Sequence, residues 1–101
     1  MSDVEQVPAL VAVEAAVLAV PGVAEVYRAR PTLQSTVAAV RHATEAARVV
    51  LDGDVLRVVI GTDGVLPAPQ VARAVHHAVL AQCAEHGLTL ARVDVRIARV
   101  G

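Results

Sequence analysis

The chain has 101 residues, 55% of them apolar, with nine basic and ten acidic side chains and a net charge of −1. This length holds one domain with little apolar surface to spare. Balanced, interleaved charge and a single aromatic ring, Tyr27, exclude the usual nucleic-acid binder, which carries a basic surplus and stacking rings. The apolar run from Val7 to Val20 contains Glu14 and stops at Pro21-Gly22, short of the roughly 20 residues of a membrane span. It follows Asp3 and Glu5, not a basic region, so it does not read as a signal peptide. The expected location is the cytoplasm, where a lone Cys83 stays reduced.

Val and Ala dominate the apolar residues, and Phe and Trp are absent. Small side chains each contribute less on burial, so part of the apolar surface is expected to be covered by a second copy or another protein. Every basic residue is Arg. Guanidinium groups are planar bidentate donors, although GC-rich codon usage accounts for the bias more simply.

In chain order, residues 1–6 read as a polar N-terminal tail and 7–101 as a single α+β domain. Pro8 suits a first helical turn. Leu10, Val13, Val17 and Val20 then share one helical face. Val11 and Leu18 lie on another side, so this helix is apolar nearly all round, whereas a surface helix keeps a polar back. Pro21-Gly22 ends it. Val23 to Arg30 reads as a strand stopped by Pro31. Residues 32–45 read equally as a helix capped by Ser35 or as a loop leading into a strand.

Two Val-rich runs flank Asp52-Gly53-Asp54, the pattern of a hairpin. In the second run Leu56, Val58 and Ile60 form the better core face, because the other face carries Arg57. "TDGVLPAP" feeds a second helix with Pro69 in its first turn. Val71, Val75, Ala78 and Val79 make its apolar stripe, His86 sits in its last turn and Gly87 ends it. The last strand, Leu90 to Val100, alternates: Val93, Val95 and Ile97 face in, Arg92, Asp94 and Arg96 face water, and Arg99 falls on the opposite side from these. Such a polar face marks a sheet open on one side. The order α-β-(uncertain)-β-β-α-β predicts a two-layer sandwich, with a mostly antiparallel sheet and two helices on one face.

No catalytic constellation emerges. His76 and Cys83 are separated by about 10 Å along a helix axis at 1.5 Å per residue, too far to share an ion. Cys83 and His86 can point together, but zinc wants at least three protein ligands, and the third would have to be His42. His76 and His77 diverge by about 100° on a helix and cannot chelate together. A thiolate at Cys83 is disfavoured by the helix C-terminus. Ser2 and Ser35 have no paired base, and "GTDG" lacks the Lys of a phosphate-cradling loop. No metal, cofactor or catalytic residue is therefore expected. Arg92 and Arg96 on the last strand can dock an acidic partner, although a solvated strand face is the plainer reading.

The helix leading to "VPGVAEV", the strand "DGDVLRVVIG", the helix "LPAPQVARAVHHAVLAQC" and the ending "GLTLARVDVRIARV" together resemble the alkaline-shock-protein family. These are Gls-type envelope stress response proteins of Gram-positive bacteria, and the likeness covers most of residues 9–100. The family often has Tyr-Gly after the central strand, where this chain has Ile60-Gly61. It also often has Gly-Val before the hairpin, and "ARVV" lacks that Gly. The resemblance implies a non-enzymatic protein of cell-envelope homeostasis, peripheral to the inner face of the membrane through a small membrane-anchored partner. No catalytic residues carry over.

The leading expectation is thus a scaffold-type protein acting through protein–protein association, a homo-oligomer whose interface uses Val11 and Leu18. The alternative is a ferredoxin-like small-molecule-sensing regulatory domain, although such domains open with a strand. An enzyme, or an accessory subunit of one, is the third reading.

Overall fold

The computed structural model describes residues 3–29 and 48–101. Residues 32–45, which the sequence pattern leaves open, lie outside the described residues, as do Ser35 and His42. The architecture is α+β, with helices on one face of a four-stranded sheet. The elements run α1 (Asp3–Leu18), β1 (Val23–Tyr27), β2 (Val50–Asp52), β3 (Val55–Thr62), α2 (Ala68–Glu85) and β4 (Arg92–Val100). Among the described residues, no helix is long and apolar enough to cross a membrane.

Strand β3 is central. β1 pairs antiparallel with its C-terminal half, Val26 opposite Ile60, and β2 pairs antiparallel with its N-terminal half, Leu51 opposite Leu56. These two share one edge of β3, and β4 runs parallel along the other, from Val55 opposite Arg92 to Thr62 opposite Val100. The sheet is mostly antiparallel by pairing, but its longest ladder is parallel. A parallel neighbour needs a crossover connection, and α2 supplies it. The β2–β3 turn is tight, with Asp52 opposite Val55 and Gly53 at φ +65°. Gly at the first of two loop positions suits a turn whose twist matches the strands.

The alternation read from β3 holds in space. Leu56, Val58 and Ile60 are fully buried against the helices. They meet Leu10, Val13 and Val17 of α1, together with Val71, Val75, Val79 and Cys83 of α2. Each such aliphatic side chain contributes about 1.5–3 kcal/mol on full burial. Helix α2 ends at Gly87, where the Gly87 N–H donates to the Ala84 carbonyl (3.2 Å) and the Leu88 N–H to the Cys83 carbonyl (2.9 Å). This pair of bonds satisfies carbonyls that a helix end leaves without partners.

Several element limits and one register differ from the expectation; α1 also ends at Leu18 and not at Val20, and β4 begins at Arg92 and not at Leu90. Helix α1 begins at Asp3, so residues 3–6 continue a helix and Pro8 lies inside it. Ring sterics tolerate Pro near a helix start, but pattern reading places it at the first turn. Strand β1 closes at Tyr27, ahead of Pro31. In β4 the register skips Ala98, setting Arg99 opposite Gly61. A bulge of this kind interrupts the strict alternation on which the side of Arg99 was predicted.

Pro21-Gly22 joins the layers. Gly22 has φ +96°, and a Cβ there would lie 2.6 Å from a Val71 methyl on α2. Left-handed backbone and close approach both demand glycine. We expect Gly22→Ala to cost about 2–3 kcal/mol from strain and overpacking; an unchanged urea midpoint would contradict this packing. Thr62 is buried, and its Oγ1 has no hydrogen-bond partner among the described residues. Thr62→Val keeps the shape and removes the unpaired hydroxyl, so it should raise stability by about 1 kcal/mol in the same assay.

Candidate functional site

The sheet face turned away from the helices and the outer side of α1 are the two surfaces that concern function. On the face away from the helices, Arg57 stands opposite Asp94 across the β3–β4 ladder. Arg57 Nε lies 3.6 Å from Asp52, its second nitrogen 3.4 Å from Asp94, and Arg92 Nε 2.8 Å from Asp94. The result is a line of alternating charges, Asp52–Arg57–Asp94–Arg92, across three strands. Arg57 and Asp52 are largely shielded, whereas Arg92 is well exposed, and exposed pairs contribute about 0–1 kcal/mol each. Beside this line, Ala29 and Val50 form a small buried cluster with Val59 packed against it.

A cavity of about 380 Å³ opens next to the cluster, lined by Arg28, Arg57, Asp94 and Arg96 with Val59 and Ala98. Of the predicted site residues, Arg92 is tied into the charge line and Arg96 lines the cavity. Sequence reading singled out neither Arg28 nor Arg57 as functional. Arg57 was visible as the polar interruption of a Val-rich strand, but its alignment with Asp94 needs the parallel register.

On the other side, Val11 and Leu18 are 44% and 42% exposed. Ala15 between them is exposed too, giving an apolar stripe at positions i, i+4 and i+7. Glu14, the one acid in the middle of α1, is a tether. Its Oε1 accepts bonds from the Arg48 backbone N–H (2.6 Å) and from Arg48 Nε (3.2 Å), while Arg48 also donates to the Val26 carbonyl (3.0 Å). The expected interface residues therefore do not converge. Val11 and Leu18 belong to the helix layer, Arg92 and Arg96 to the far side of the sheet.

Among the described residues no group of three His, Cys, Asp or Glu side chains is placed to hold a metal ion. His76 and His77 meet edge to face with centroids 6.3 Å apart, His76 half-buried and His77 exposed. Cys83 is a buried free thiol, and burial pushes its pKa up, which opposes the thiolate that a nucleophile requires. Compared with models of protein families, with curated proteins and with solved structures, the chain finds no match.

A raised thiol pKa in the folded state means that the unfolded chain releases this proton first. The stabilising contribution is full below the unfolded value of about 8.5 and is lost as pH rises through the higher folded value. Urea denaturation from pH 7 to 10 should show falling stability, with a shallower fall in Cys83→Ala. An identical slope in both proteins would contradict the burial of the thiol.

Proposed function

We propose that this chain works by association and not by catalysis, as a cytoplasmic scaffold-type protein of the alkaline-shock, envelope-stress kind. In this reading it forms a homo-oligomer and takes a small membrane-anchored protein as a further partner, which brings it to the inner face of the membrane. The observation that carries the reading is the outer stripe of α1. Val11, Ala15 and Leu18 are exposed on a helix whose opposite face is fully buried. The stripe holds no charge and so needs no complementary partner charge. A second copy of the same stripe suits it, as in a two-fold symmetric contact, and the small Ala15 lets two helices approach closely.

The sensor reading finds less support in the topology. A ferredoxin-like domain has split βαβ units, whereas β3 and β4 here lie side by side, and the first described element is a helix.

Light scattering on the purified chain should give at least twice the monomer mass at high concentration. Leu18→Asp should return it to the monomer with an unchanged circular dichroism spectrum, since Leu18 lies outside the core. A wild-type chain that stays monomeric at hundreds of micromolar, or a Leu18→Asp oligomer of wild-type size, refutes the interface.

A further inference from the structure

We propose that the cavity on the sheet face away from the helices binds a small organic anion, held through a carboxylate or phosphate group. The first ground is local charge. Arg28, Arg57 and Arg96 line the cavity against Asp94 alone, although the chain as a whole carries a net charge of −1. The two carboxylates beside Arg57 are already engaged. Asp52 and Asp94 both face Arg57, and Asp94 also holds Arg92 at 2.8 Å. Among the described residues, no acidic side chain pairs with Arg28 or Arg96.

The second ground is preorganisation. Asp52 and Asp94 restrain Arg57 from two sides, which lowers the cost of ordering it when a ligand arrives. Its Nε is buried and makes no hydrogen bond, the 3.6 Å approach of Asp52 being too long for one. The ladder sets Val59 opposite Arg96 and Arg57 opposite Asp94. Arg57 and Arg96 are then diagonal neighbours, with Cα atoms about 8 Å apart from the strand spacing and the two-residue rise. Two side chains of that length can reach one oxyanion between them, and guanidinium groups bind carboxylate and phosphate through paired hydrogen bonds.

The third ground is shape. About 380 Å³ falls at the small end of the range for ligand sites. Val59 and Ala98 provide an apolar wall for the carbon part of a ligand. This site lies on the opposite layer from the α1 stripe and does not depend on it.

The test is a titration of ¹⁵N-labelled protein with inorganic phosphate, with succinate and with chloride, at constant ionic strength. Phosphate or succinate should produce saturable shifts confined to the amides of residues 28–29, 57–59 and 94–98; whichever binds tighter identifies the group. Arg28→Gln combined with Arg96→Gln should weaken that binding at least about tenfold, the scale of one charge-assisted bond lost. Both side chains are exposed, so the spectrum of the double variant should remain folded. Arg73→Gln on α2 should leave binding unchanged. Equal shifts with chloride, no saturable shift with either anion, or undiminished binding by the double variant would each overturn the proposal.

Discussion

Among the described residues, every other strand of this sheet is held by β3 alone. β4 occupies one of its edges over the full length, while β1 and β2 lie end to end on the other. Although there are four strands, the sheet is only three wide, and a loss of β3 leaves no pair behind. The same eight residues separate the two surfaces. Leu56, Val58 and Ile60 turn inward as the floor of the helix layer, while Arg57 and Val59 turn outward to the charge line and the cavity. One alternating strand therefore defines both the core and the candidate site.

A core this poor in large side chains gains less from each residue it buries, so its layers are also tied at their margins by polar contacts. Arg48 links α1 to β1 through Glu14 and the Val26 carbonyl. The Ala29 N–H donates to the Arg48 carbonyl at 2.8 Å and ties the end of β1 to the approach to β2. Gly22 lets α2 press Val71 against the joint between α1 and β1. The proposed interface on α1 and the proposed anion site lie on opposite layers of this arrangement.

Much of the fold is legible because its signals are local. The 3.6-residue spacing of Leu10, Val13 and Val17 marks the buried face of α1, and Val20, next in the same spacing, is buried just past its end. Val71, Val75 and Val79 do the same for α2, with Cys83 extending the stripe. Asp52-Gly53-Asp54 specifies the turn through backbone chemistry alone. Less of the candidate site was legible. Arg96 stood out as an outward residue of an alternating strand, but the cavity also needs Arg28 from the end of β1 and Arg57 from β3. Their meeting is a matter of register, and register is a relation between distant segments.

By itself the sequence determined the types and order of the described elements and the inward side of α1, β3, α2 and most of β4, since periodicity and turn chemistry act within a few residues. It also showed α1 to be apolar on more than one side, a property of composition at fixed spacing. Only the tertiary structure decided that β4 joins β3 in parallel and that Glu14 is a tether. The bulge at Ala98 and the opposition of the α1 stripe to the arginine cavity belong to the same group. Each of these depends on hydrogen bonds and ion pairs between residues far apart in the chain, among many pairings that the same local pattern permits.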